Sequence, residues 1–181
     1  VSDAATRAAL AFAERAPEAT RTRTITWQDP LASAAQAAGK TGLEYMRAIA
    51  AGEIPPPPIA VTLRMSLVAI EEGRVTFEGA PGEEHFNPIG TVHGGYVATL
   101  LDSAMGCAVH TTLPAGVGYT TLTLEVKYVR AIGLDAGPLT CAAEVVHAGR
   151  RQATAEGRVT GPDGRLYAHG TTTCMILRPA S

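Results

Sequence analysis

Between His93 and His110 the chain carries one long run of small and apolar residues, GGYVATLLDSAMGCAV, broken by a single charge, Asp102. With Leu100, Leu101, Ala104, Met105, Ala108 and Val109 set so closely, a helix here has to be covered on most of its surface. The rest of the chain must supply that cover, and most of it reads as strand. Val61, Leu63, Met65 and Leu67 alternate with Thr62, Arg64 and Ser66. After Glu71-Glu72-Gly73 a second run sets Val75 and Phe77 between Arg74, Thr76 and Glu78, which predicts a hairpin. Beyond the helix, Leu122, Leu124, Val126 and Tyr128 are expected on one face of a strand and Thr121, Thr123, Glu125 and Lys127 on the other. Weaker alternation follows near 139–147. Ala153, Ala155 and Val159 mark a strand near 151–160, and the turn signal Gly161-Pro162-Asp163-Gly164 precedes a last strand near 165–177.

The order is thus strand, strand, long helix and four strands joined by short turns. Short turns imply antiparallel neighbours, so the expected class is α+β, with one helix against one curved antiparallel sheet. That is the arrangement called a hotdog fold. Residues 1–58 differ in style. DAATRAALAFAERA is helical in composition, and Thr41 followed by Glu44 has capping-box spacing ahead of Leu43, Met46 and Ile49, with Gly52 beyond. Four prolines at 55–58 form a stiff connector. The expected division is a helical extension over 1–58 and a hotdog domain over 59–178.

Composition removes several function classes. The 181 residues are 46% hydrophobic, enough for one sizeable core, and the net charge of −2 provides no basic field for a nucleic-acid backbone. Six basic and six acidic residues cancel within the extension, so it too lacks the character of a DNA-binding arm. Cys107, Cys141 and Cys174 are odd in number, widely spaced and set in apolar runs, which predicts reduced core thiols and no zinc site. The best apolar run is interrupted by Asp102 and by Thr and Ser residues, so no membrane span is expected. The first residues show no charged-then-apolar leader pattern, and the expected location is cytoplasmic.

The chemistry concentrates at the helix start. Asn87 precedes Pro88 and is held out of the helical region, while Gly90, Gly94 and Gly95 allow tight turning and close approach. If the helix begins near 93–95, its first N–H groups lack intrahelical partners and favour an oxygen gaining negative charge. Taken alone, the glycine pair also fits a plain helix-entry turn, His93 a helix cap, and Asn87 a turn residue. Asp102 is different. Its neighbours at three and four residues, Ala98, Thr99, Met105 and Gly106, offer no cation, and 94–109 holds no other charge, so it does not sit on a solvated stripe. Such a carboxylate is kept for chemistry.

The pattern N-P-x-G-x-x-H-G-G, with an Asp as the seventh residue after it, resembles the PaaI-like hotdog thioesterases, which cleave acyl-coenzyme A thioesters. The resemblance covers most of 59–178, including Y-T-T-L-x-L-x-V-x-Y at 119–128 and G-R-R at 149–151. It implies that the Gly94 N–H polarises the thioester carbonyl, that Asn87 helps hold the carbonyl or the water, and that Asp102 acts as general base or nucleophile from the neighbouring subunit. It also implies that Thr121, or the adjacent Thr120, orients the water and that His93 supports the loop. Gly95 would line the substrate, and Arg130, Arg150 and Arg151 at strand ends suit coenzyme A phosphates, with solvated strand-end cations an equal reading of the arginines. No metal or cofactor is implied beyond the coenzyme A of the substrate, and the expected assembly is a homodimer or homotetramer. Two departures from the family pattern are the absence of proline after Arg130 and the long extension. Competing readings are an acyl-CoA-binding module without catalysis and a hotdog dehydratase or hydratase using His93.

Overall fold

The computed structural model describes residues 21–179. Three short helices come first, α1 (Pro30–Ala35), α2 (Gly42–Ala50) and α3 (Pro58–Thr62), and then a hairpin of β1 (Met65–Glu71) and β2 (Arg74–Gly79). The long helix α4 (Gly94–Thr111) follows, and then β3 (Gly118–Tyr128), β4 (Leu139–Ala148), β5 (Gln152–Thr160) and β6 (Leu166–Leu177). The six strands form one antiparallel sheet in the order β1-β2-β4-β5-β6-β3. This is the hotdog arrangement, with α4 packed against the sheet. The DAATRAALAFAERA stretch lies outside the described residues.

The expected cover for α4 is in place. Leu100, Leu101, Ala104, Met105, Ala108 and Val109 are all 0% exposed. Each large apolar side chain among them contributes roughly 1.5–3 kcal/mol by leaving water. They lie on small residues of β5 and β6, including Ala153, Ala155 and Ala168. At Gly157 even a Cβ would stand 3.1 Å from both Leu101 and Met105, so the helix is seated as low on the sheet as glycine allows. Irregularities in β1, β3, β4 and β6 add local twist and help the sheet curl round the helix.

Three sequence expectations are corrected here. The first strand begins at Met65, because Pro57 and Pro58 start a helical turn through Thr62, with proline at the first helical position, where its missing N–H has no intrahelical role. Leu122 does not share a face with Leu124. A bulge between Thr121 and Thr123 skips it, leaving it 48% exposed, and puts Thr121 on the same face as Leu124, toward α4. Chain neighbours are also not always sheet neighbours: β2 pairs with β4, and β3 crosses to the far edge, where β6 is its strand partner. The capping box at Thr41 and Glu44 is formed as expected. The three cysteines are free, with Cys141 and Cys174 buried. No described helix is long and apolar enough to cross a membrane.

Candidate active site

The helix entry is built by a short loop folded around Asn87. Its carboxamide oxygen accepts from the N–H groups of Ile89 and Thr91, at 3.1 and 3.2 Å, and its Nδ2 donates to the Thr91 hydroxyl at 2.9 Å. One amide hydrogen of Asn87 is left without a described partner. His93 is the N-cap of α4, and its Nδ1 accepts the Gly95 N–H at 2.8 Å. A Cβ on Gly95 would lie 2.8 Å from that nitrogen, which explains why the cap needs glycine there. The Tyr96 N–H donates to the His93 carbonyl. The Gly94 N–H is therefore the donor of this first turn with no acceptor among the described residues. It carries the positive end of an 18-residue helix.

Tyr128, which the sequence pattern did not single out, covers this turn. Its hydroxyl donates to the Gly94 carbonyl at 2.9 Å, and its ring would stand 3.2 Å from a Cβ at Gly94. Arg130, two residues on, lines the same surface depression but commits one guanidinium N–H to the Leu166 carbonyl at 2.7 Å.

Asp102 forms a separate cluster. The Thr121 hydroxyl donates to its Oδ1 at 2.9 Å, so Thr121 rather than Thr120 faces the carboxylate, as the β3 bulge requires. Asp102 is half-buried and makes no ion pair with a described residue. Beside it the Cys107 thiol is pushed up to about 12, by burial first and then by the Asp102 charge, which leaves that sulfur protonated and a poor nucleophile. Arg150 and Arg151 are exposed in the β4–β5 turn, next to the β6 end that pairs with the start of β3. Among the described residues no three His, Cys, Asp or Glu side chains converge as metal ligands.

The structure thus gathers Asn87, His93, Gly94, Gly95 and Arg130 at one end of α4 and β3, and Asp102, Thr121, Arg150 and Arg151 toward the other. Eight residues of helix separate the Gly94 amide from Asp102 by about 12 Å. A water held by Asp102 cannot reach a carbonyl held by the Gly94 of the same helix.

Comparison with known proteins identifies the family. The family model described as the thioesterase superfamily matches residues 89–168. Human acyl-coenzyme A thioesterase 13 is 31% identical over 111 residues, 61% of this chain and 78% of its own length. A Halobacterium salinarum protein carrying an esterase name is 40% identical over 97 residues, but the match spans only 58% of that protein and 52% of this one. Among solved structures, the phenylacetic acid degradation-related protein of Ralstonia eutropha superimposes with a TM-score of 0.67 at 30% identity, over 72% of this chain and 98% of that one. The chain belongs to the PaaI-like hotdog thioesterases, a family of thioester hydrolases.

Proposed function

We propose that this protein hydrolyses acyl-coenzyme A thioesters to a free acid and coenzyme A, in sites completed between two copies of the chain. The observation that carries the reading is the pair of half-sites: a free, polarised N–H at Gly94 and a hydroxyl-anchored carboxylate at Asp102, both present and too far apart within one chain to act together. Strand β3 supports the pairing. It lies at the sheet edge with 11 residues, and the backbone groups facing away from β6 are open to another strand. Antiparallel pairing of two β3 strands about a two-fold axis brings the Gly94 end of one copy toward the Asp102 end of the other. Human acyl-coenzyme A thioesterase 13 supplies the substrate class by similarity.

In this site the thioester carbonyl oxygen accepts the Gly94 N–H, with the free amide hydrogen of Asn87 close to the same loop. Asp102, oriented by Thr121, takes a proton from water as the resulting hydroxide adds to the carbonyl carbon. Negative charge builds on the oxygen and is stabilised by the Gly94 donor. The tetrahedral intermediate then collapses, the C–S bond breaks, and the proton on Asp102 passes to the departing coenzyme A sulfur. Direct attack by the carboxylate, forming a mixed anhydride that water then opens, uses the same residues. His93 keeps the Gly95 N–H occupied and so leaves Gly94 as the available donor. Arg130, Arg150 and Arg151, at the two ends of β3, are the cations this reading assigns to the coenzyme A phosphates.

The test is thiol release from a panel of aryl- and fatty-acyl-CoA thioesters by the wild type and Asp102→Asn. The expected result is turnover that falls about 10²–10⁴-fold in the variant with the fold intact. Saturable binding with no thiol release by the wild type would instead make the chain a binding module.

A further inference from the structure

A cavity of about 280 Å³ lies between the extension and the hotdog domain. One wall is Tyr45, Met46 and Ile49 of α2 with the prolines that follow; the opposite wall includes Cys107 and His110 of α4 and Tyr119 of β3. The rings of Tyr45, His110 and Tyr119 form a continuous tilted series, with centroids 5.8 and 5.5 Å apart. Among the described residues no Lys, Arg, Asp or Glu lines the space. His110 does not add a cation at neutral pH, since burial lowers its pKa below the ordinary value of 6.5.

Asp102 does not line the cavity but lies one to two helical turns from its wall at Cys107 and His110. Asp102, Gly106 and His110 fall at i, i+4 and i+8 on one stripe of α4, and Tyr119 lies two residues before Thr121 on the same face of β3. At Gly106 a Cβ would meet the Tyr119 hydroxyl at 2.8 Å, so helix and strand are in close contact between Asp102 and the cavity. The far wall is also firmly seated. Gly42 donates its N–H to the Leu113 carbonyl at 2.9 Å and packs so tightly on α4 that a Cβ would fall 1.8 Å from the His110 carbonyl oxygen.

We infer that this cavity is the chamber for the distal end of the acyl group, and that Tyr45, Met46 and Ile49 of the extension determine which acyl groups fit. The inference rests on the acyl-CoA reading above and adds to it the class of substrate: an uncharged apolar tail. Its volume is close to twice the ~150 Å³ that accommodates a benzene molecule in an apolar protein cavity. A tail ending in a carboxylate would be desolvated without a partner and rejected.

The experiment uses the full chain and two readouts. Affinities of non-hydrolysable S-alkyl coenzyme A thioethers, from two to sixteen carbons and with an ω-carboxylate series, are measured by titration calorimetry, and thiol release is followed on the matching thioesters. Wild-type affinity is expected to rise roughly threefold to fourfold per methylene until the chamber is full, then level off, with ω-carboxylates at least tenfold weaker. Ile49→Trp, which narrows the chamber, is expected to lower the ratio of twelve-carbon to four-carbon affinity at least tenfold. Ala34→Phe, an exposed position at the cavity wall, serves the same purpose if Ile49→Trp folds poorly. Affinity independent of chain length, or a ratio unmoved by both variants, overturns the chamber even if thiol is released. Length-dependent thioether binding that the variants shift, with no thiol release, upholds the chamber and rejects hydrolysis instead.

Discussion

At the scale of single residues the site depends on which backbone donor is left over. His93 takes the Gly95 N–H and contributes its own carbonyl to Tyr96, so the first turn of α4 presents one amide without a partner among the described residues, that of Gly94. Proline is well suited to this first helical position, and His93 already has the extended ψ of 136° that a following proline prefers. Gly94→Pro therefore removes the donor while keeping a backbone the helix accepts, provided the exposed Tyr128 ring yields a few tenths of an ångström to the new Cβ, a displacement that Gly94→Ala reproduces with the donor kept. The proline variant is expected to lower kcat about 10²–10³-fold, the loss typical of one oxyanion donor. Far-UV circular dichroism should stay close to wild type, and a kcat within threefold of wild type would remove Gly94 from the chemistry. Asp102 stood out in the sequence because a lone charge in an apolar run conflicts with simple packing, and the Gly94 loop only through the combined N-P-x-G-x-x-H-G-G pattern, since its glycine pair alone fits a plain helix entry. Tyr128 did not stand out, since a tyrosine ending an alternating strand looks like any other half-covered ring. Only the close approach of β3 to the helix start gives its hydroxyl a role.

At the scale of elements, α2 is the piece that links the extension to the domain. Its capping box was legible from Thr41 and Glu44, because that signal is local. Its seat on α4 was not, because nothing near Gly42 in sequence announces His110 and Leu113. Gly42→Ala is expected to lift α2 from α4, since the added carbon would overlap the His110 carbonyl; the readout is faster proteolysis before Met65 together with a lower Tm. The same seat gives stability a pH dependence. His110 is half-buried between Tyr45 and Tyr119, and its folded pKa lies below the ordinary 6.5, so the unfolded chain binds the proton more readily. The stability due to the neutral ring is present above pH 6.5 and is lost as pH falls from there through the folded pKa. Tm measured between pH 7.5 and 5.0 should therefore fall more steeply in the wild type than in His110→Phe; parallel curves would assign the acid sensitivity elsewhere.

At the scale of the whole molecule the question is how many chains make one site. If Asp102 of one copy serves Gly94 of another, Asp102→Asn and Gly94→Pro chains, each nearly inactive, should complement when unfolded together and refolded. Random pairing into dimers yields mixed pairs in half the population, each with one intact site of two, so about a quarter of the wild-type rate should return. No recovery, in a mixture shown by mass spectrometry to contain mixed dimers, would confine the site to one chain. The sequence by itself determined the element order, the single covered helix and the candidates for chemistry, because hydrophobic period, capping spacing and an unpaired charge are all properties of neighbours along the chain. The tertiary structure decided what depends on distant contacts. It carried β3 to the far edge of the sheet, inserted the bulge that turns Thr121 rather than Leu122 toward Asp102, and closed an apolar chamber with α2. Each of these follows from strand register and helix seating, which are energies of long-range packing that no local run of residues records.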